Sequence, residues 1–140
     1  LILYGASEEI AAWAADKFGE AHDYFDPCEA IGIVADGQII AGVIYNNQRK
    51  HKSIPFTLEM TVASIDKRWA TRHNLRALFG YPFTQLGLRR VETQCDSDNE
   101  GAVMFNKRLG FKEEGKHKQA FPTGNDSLSF GMLKDDCKWL

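Results

Sequence analysis

Asp66-Lys67-Arg68-Trp69-Ala70-Thr71-Arg72-His73-Asn74-Leu75-Arg76 sets Lys67, Arg68, Arg72, His73 and Arg76 against a single acid, inside a chain whose formal net charge is −2. Upstream, Phe56 to Ala63 alternates: Phe56, Leu58, Met60 and Val62 point one way, while Thr57, Glu59 and Thr61 point the other. That is a strand with one apolar and one partly polar face. Downstream, Leu75, Leu78, Phe79, Phe83 and Leu86 recur at helical spacing, with Gly87 as a stop and Gly80 and Pro82 predicting a kink near Tyr81. The basic run therefore lies where a strand hands over to a helix. Unpaired N–H groups and the helix dipole favour an anion at such a junction, and a pyrophosphate would suit it. A solvated, basic first helical turn is the other reading of the same residues.

Working outward, Leu1 to Tyr4 reads as a short strand, and Glu8 to Phe18 as a helix with Ile10, Trp13, Ala14 and Phe18 on one face. Ile31 to Ala35 and Ile39 to Tyr45 flank Asp36-Gly37, a pair suited to a tight hairpin turn. Asn46 to Ser53 is polar and basic and reads as a loop. Leu88 to Cys95 reads as a strand with Val91, Thr93 and Cys95 on one face. Ser97-Asp98-Asn99-Glu100 has a capping-box pattern, opening a helix that carries Ala102 and Phe105 inward and ends at Gly110-Phe111. Phe111 to Phe121 and Ser127 to Leu133 read as strands joined by Pro122-Thr123-Gly124-Asn125. The order is β-α-β-β-β-α-β-α-β-β. Hairpins surround a strand–helix–strand unit whose parallel pairing requires the crossover helix, which gives a mixed sheet with helices packed on it.

The 140 residues suit a single domain over 1–140, and 44% hydrophobic with 26% charged residues is the ordinary globular range. Net acidity excludes a generalised nucleic-acid or membrane surface, so any polyanion site must be local. No apolar run approaches the roughly 20 residues of a membrane span. Cys28, Cys95 and Cys137 are widely spaced, form no CxxC and have no His at metal-ligand spacing. Reduced thiols, no metal and a cytoplasmic location are the expectation. The histidines form no hydrolase pattern with a Ser or Cys, and there is no Walker loop.

The basic junction resembles that of the GNAT (GCN5-related N-acetyltransferase) family, whose central strand leads into a Q/R-x-x-G-x-G/A loop that cradles the CoA pyrophosphate. Arg68 matches the first position, whereas Thr71 and His73 stand where the family has glycines, so this loop must lean more on side chains. Asn99, Ala102 and Phe105-Asn106-Lys107-Arg108-Leu109-Gly110-Phe111 resemble the family's N…A…Y-E-K-x-G-F helix and strand entry. Gly115 through Ala120-Phe121-Pro122, with Gly131-Met132-Leu133, resembles the branch that acetylates the N-termini of ribosomal proteins (RimJ/RimL-like). Trp69-Ala70-Thr71-Arg72 and Tyr81-Pro82-Phe83 resemble phage or prophage members. The likeness covers most of the chain from Ile31 onward.

This resemblance implies an α/β (α+β) fold with a mixed, mostly antiparallel central sheet of six to seven strands flanked by three to four helices. It implies an N-acetyltransferase that moves an acetyl group from acetyl-CoA to a primary amine by direct attack. Met60, Thr61 and Val62 would orient the thioester and pantetheine through backbone N–H groups. Arg68, Thr71, Arg72, His73 and Asn74 would hold the pyrophosphate, and Asn99 would touch pantetheine or simply start its helix. Glu59, on the polar face of the cleft strand, is the candidate base, acting through water on an ammonium of pKa near 10. Asn106 occupies the position of the family's tyrosine acid. An amide can hydrogen-bond to a thiolate but cannot protonate it, so thiolate leaves unaided or Tyr81 serves.

Three function classes follow. The first is an acetyltransferase with a protein N-terminus, lysine or small amine as acceptor, working as monomer or homodimer. The second is a non-catalytic CoA-binding or regulatory module, consistent with the replaced glycines and tyrosine. The third, a nucleic-acid-binding domain using Lys67 to Arg90, is disfavoured by net acidity and the lack of an aromatic–basic surface pattern.

Overall fold

The computed structural model describes residues 1–140. Its strands are β1 (Ile2–Leu3), β2 (Cys28–Ala35), β3 (Gln38–His51), β4 (Ile54–Ser64), β5 (Arg90–Asp96), β6 (Lys112–His117) and β7 (Ser127–Leu133); its helices are α1 (Ser7–Lys17), α2 (Arg72–Gly80) and α3 (Glu100–Leu109). The strands form one sheet in the order β1-β2-β3-β4-β5-β7-β6. Every neighbouring pair is antiparallel except β4 and β5, which run parallel because α2 carries the chain across. This is the mixed α/β architecture expected from the element order. No helix is long and apolar enough to cross a membrane.

Alternation along the strands divides the core in two. On one face Leu58 and Met60 of β4 join Leu75, Leu78 and Phe79 of α2, Leu109 at the end of α3 and Phe130 of β7. The buried Tyr45 hydroxyl donates to the Leu78 carbonyl at 2.6 Å, tying α2 to the sheet. On the other face Ile10, Ala11, Ala14 and Ala15 of α1 pack on Ala30, Ile44 and Ala63. Gly42 makes that approach possible, since a Cβ there would come within 2.9 Å of Ile10 Cγ2. Because α1 covers only the β2–β4 half of its face, the same face of β5 and β7 stays open and polar.

Three local features differ from the reading of the sequence, and a fourth, the interruption expected near Tyr81, takes a specific form. Asn46 to Ser53 is a strand hairpin rather than a loop: β3 runs on to His51 and β4 begins at Ile54. The turn residues Lys52 (φ 50°) and Ser53 (φ 67°) are both left-handed, the geometry of a two-residue hairpin turn without its usual Asn-Gly. A register shift between Asn46 and Arg49 accommodates Asn47 at φ 51°. The α3 cap is Asn99 rather than Ser97, its side chain accepting from the Ala102 amide at 3.1 Å. β6 stops at His117, well before Phe121. The interruption at Tyr81 is a wide helical turn over Tyr81–Gln85 immediately after α2, with Pro82 buried inside it.

Candidate active site

β4 and β5 pair at one rung only, Glu59 with Glu92. Beyond it the strands separate, and the peptide groups of Met60–Val62 that point toward β5 have no partner strand. A cleft of about 350 Å³ occupies this gap. Met60, Thr61 and Val62 line one wall, Thr93 to Asp96 the other, and Ala102, Phe105 and Asn106 of α3 close its floor. Most of this lining is apolar, yet its rim carries open backbone donors and acceptors, so it suits a slender chain that is itself part amide and part hydrocarbon.

Glu59 stands at the mouth of the cleft, on the open polar face. Asn47 Nδ2 donates to its Oε2 at 3.0 Å, and Gln94 Nε2 donates to its Oε1 at 3.3 Å, so each carboxylate oxygen receives one amide hydrogen. Gln94 in turn accepts from Ser127 Oγ at 3.2 Å. Asn47 reaches Glu59 because the left-handed bulge residue turns its side chain back over β4.

Inside the cleft, Asn106 is buried beside the Cys95 thiol; burial pushes that thiol above its ordinary value, while the neighbouring Asn106 amide opposes the rise. Asn99 lines the cleft and caps α3 at once. The far rim is the loop between β6 and β7, held down by Asp96. Asp96 accepts from the Asp98 amide (2.9 Å), the Thr123 hydroxyl (2.8 Å) and Asn125 Nδ2 (3.2 Å). These bonds, the Asp98 amide foremost, hold its carboxyl below the ordinary aspartate value.

The basic junction is organised differently from the cleft. Asp66 caps a short turn over Lys67–Trp69 and grips Arg68, whose guanidinium lies 2.8 Å from Asp66 and 3.1 Å from Asp36 at the β2–β3 turn. Thr71 caps α2 by accepting from the Asn74 amide at 3.1 Å, and the buried Asn74 side chain donates to the Trp69 carbonyl at 2.9 Å. Arg72 donates to the Lys138 carbonyl at 3.3 Å and lies 6.0 Å from the Trp139 ring centre. The first-turn amides of Arg72 and His73 have no acceptor within the helix. Trp69, buried, meets Phe105 at 5.7 Å between ring centres and joins this junction to the cleft floor.

Thus Glu59, Met60, Thr61, Val62, Asn99 and Asn106 gather around one cleft. Arg68, Thr71, Arg72 and Asn74 meet at the α2 entrance, where all four side chains are tied to protein partners. His73 lines a second cavity, together with Tyr4, Arg76 and Tyr81. Tyr81 packs its ring 4.7 Å from that of Tyr45 and does not line the cleft. Sequence reasoning missed Asn47, Gln94, Cys95 and Thr123 as members of the site. Gln94 alternates with the inward residues of β5 and could have been placed by its period; Asn47 depends on a bulge that no local pattern announces.

No family model matches this sequence, and no curated protein matches it. Solved structures do. The ribosomal-protein-S5-alanine acetyltransferase from Vibrio fischeri superposes with a TM-score of 0.72 at 16% identity, over 98% of this chain and 94% of that one. A GNAT-family acetyltransferase from Streptococcus pneumoniae gives 0.65 at 18% identity, over 95% and 98%. A variant of the spermidine N-acetyltransferase SpeG from Vibrio cholerae gives 0.64 at 19%, over 85% and 70%. At this level of identity the likeness speaks for architecture, and it is the architecture of the splayed sheet just described: this chain has the fold of the GNAT acetyltransferases.

Proposed function

We propose that this chain is an acetyl-CoA-dependent N-acetyltransferase acting on a primary amine. One observation carries the reading: a parallel strand pair that opens just past Glu59, leaving unpaired peptide groups along the cleft and a hydrogen-bonded carboxylate at its mouth. The donor set fits a pantetheine arm. Met60 to Val62 offer backbone amides, Asn99 offers its Nδ2, and Thr71 with the free first-turn amides of α2 offers a place for pyrophosphate. Arg72 and His73 add positive charge beside that turn, and Arg68 can join them by leaving its exposed carboxylate partners.

When bound, acetyl-CoA supplies the thioester carbonyl that a neutral amine attacks. The chain's own tasks are to orient and to move protons. Glu59, through a water molecule, takes the proton that the amine must lose, while Asn47 and Gln94 fix its carboxylate. Asn106 lines the cleft next to Cys95, and its side-chain amide can donate a hydrogen bond to the sulfur that departs. Burial, then the Glu29 charge, raises the Tyr81 hydroxyl above its ordinary value; with the ring outside the cleft, Tyr81 is not assigned the acid role.

A polypeptide N-terminus is the preferred acceptor, supported by the superposition on an enzyme named for a ribosomal protein. The experiment is thermal unfolding with and without acetyl-CoA, followed by thiol release in the presence of small amines and peptides. Stabilisation together with amine-dependent thiol release supports the reading, and no stabilisation at millimolar acetyl-CoA overturns it. Asn106 in place of a tyrosine favours one second reading, a CoA-binding module without turnover, which would be stabilised but release no thiol.

A further inference from the structure

A cavity of about 610 Å³ lies away from the cleft, between the start of β4 and the segment entering β5. Lys50, His51 and Arg89 surround it, while Ile54, Pro55 and Phe56 form an apolar side. No carboxylate lines it. The adjoining Arg49 and Arg90 are neutralised by Glu92 and Glu114, but Lys50, His51, Lys52 and Arg89 form no ion pair. In a chain of net charge −2, that is a concentrated local field of positive sign. Ile54 is 68% exposed, and β4 has no partner on its β5 side below Glu59.

We propose that this groove holds an acidic segment of the polypeptide acceptor, downstream of the amine that is acetylated. The inference rests on the acetyltransferase reading for the word acceptor, but the groove can be tested alone. Its mixed lining, cations beside an exposed isoleucine and a phenylalanine, suits a peptide with carboxylate and aliphatic side chains. A nucleic-acid backbone would call for a longer basic track than these residues supply. Ile54 is five residues from Glu59 along β4, roughly 16 Å at the rise of a strand. An extended peptide with its amine at Glu59 would therefore place its fifth to seventh residues over Lys50 and Arg89. A polycation would be repelled from the same groove.

The test measures fluorescence anisotropy of a labelled ten-residue peptide, without acetyl-CoA. The peptide has a free amino terminus, four neutral residues, four Asp or Glu and two neutral residues that carry the label, and its twin carries Asn and Gln in place of the acids. The acidic peptide is expected to bind at least tenfold more tightly than its twin and to weaken as salt rises. Lys50→Glu with Arg89→Glu should abolish this preference, whereas the equally charged pair Lys107→Glu with Lys112→Glu should keep it; thermal unfolding verifies that both fold. Equal binding of the twins, or equal loss in both double variants, overturns the proposal. So does a ten-nucleotide RNA that displaces the acidic peptide at lower concentration. If small amines are acetylated while the acidic peptide shows no preference, the groove assignment fails alone. If the peptide binds as expected but acetyl-CoA neither stabilises the protein nor is turned over, the acetyltransferase reading fails and takes the acceptor role with it.

Discussion

Asn47 donates its side-chain amide to Glu59 Oε2 at 3.0 Å from a backbone turned left-handed, at φ 51°. The bulge that makes this contact also carries β3 past Asn46 and on to the hairpin tip. One irregularity in a strand therefore both aims the candidate base and extends the sheet beneath it. Bulges beside functional sites commonly re-aim a side chain in this way.

Glu59→Gln is expected to lower kcat by about 10²-fold or more while leaving acetyl-CoA stabilisation intact, because the amide keeps the shape and loses the base. Asn47→Gly tests the positioning role separately. Glycine accepts a positive φ without cost, so the bulge and the unfolding temperature should hold while kcat falls several-fold. Unchanged kcat in both variants would remove Glu59 from the mechanism.

Ala102 lines the cleft from the first turn of α3 and is only partly buried. Ala102→Trp should fill the cleft and abolish stabilisation by acetyl-CoA, which in the parent is worth about 2.7 kcal/mol at a hundredfold excess over Kd. The unliganded unfolding temperature is the control. Retained stabilisation in this variant would move the CoA site elsewhere.

Asp96 fastens the β6–β7 loop to the end of β5 and so shapes the cleft rim. Its carboxyl is held below the ordinary value, with the Asp98 amide as the first cause. The stabilisation is therefore complete above the unfolded-state value near 4 and is lost as pH falls through the lower folded-state value. Asp96→Asn should reduce the unfolding temperature at pH 6 to 7, and the difference should shrink below about pH 4. A difference constant across that range would mean the charge plays no part.

Arg68 lies between the carboxylates of Asp36 and Asp66, which compete with any phosphate for its guanidinium. Asp36→Asn should tighten acetyl-CoA binding a few-fold and Arg68→Ala should weaken it, as read by calorimetry. Because the Arg68 pairs are exposed, neither change should move the unfolding temperature appreciably. Unchanged affinity in both would exclude Arg68 from the cofactor site.

The element order and the crossover were legible because Leu58, Met60, Val91 and Leu75 follow clean periods of two or 3.6, and because Asp36-Gly37 and Gly110 occupy turn positions that need a positive φ. Met60, Thr61 and Val62 were placed at the cleft by the resemblance to the GNAT acetyltransferases, whereas Gln94 and Cys95 of the opposite wall were not. What escaped was tertiary. Nothing in the order of residues shows that Asp36, thirty-two positions before Arg68, will lie against its guanidinium, or that Ser127 and Gln94 will reach toward Glu59. The β3–β4 hairpin escaped for a local reason: Arg49, Lys50, His51 and Lys52 are polar without alternation, and its turn uses residues that rarely adopt that geometry.

That turn supplies a test of the hairpin itself. Ser53 lies at φ 67°, a conformation that costs an L-residue roughly 1–2 kcal/mol. Glycine removes that cost but gives back part of it through the greater freedom of the unfolded chain. Ser53→Gly should therefore stabilise the protein by about 0.5–1 kcal/mol, a rise of a few degrees in Tm. Ser53→Val, β-branched and ill-suited to positive φ, should lower Tm by more than glycine raises it. Because the tip is exposed and away from the cleft, acetyl-CoA binding should be unchanged in both. If glycine and valine leave Tm alike, the left-handed turn is absent, and with it the extension of β3 and β4 that shapes the basic groove.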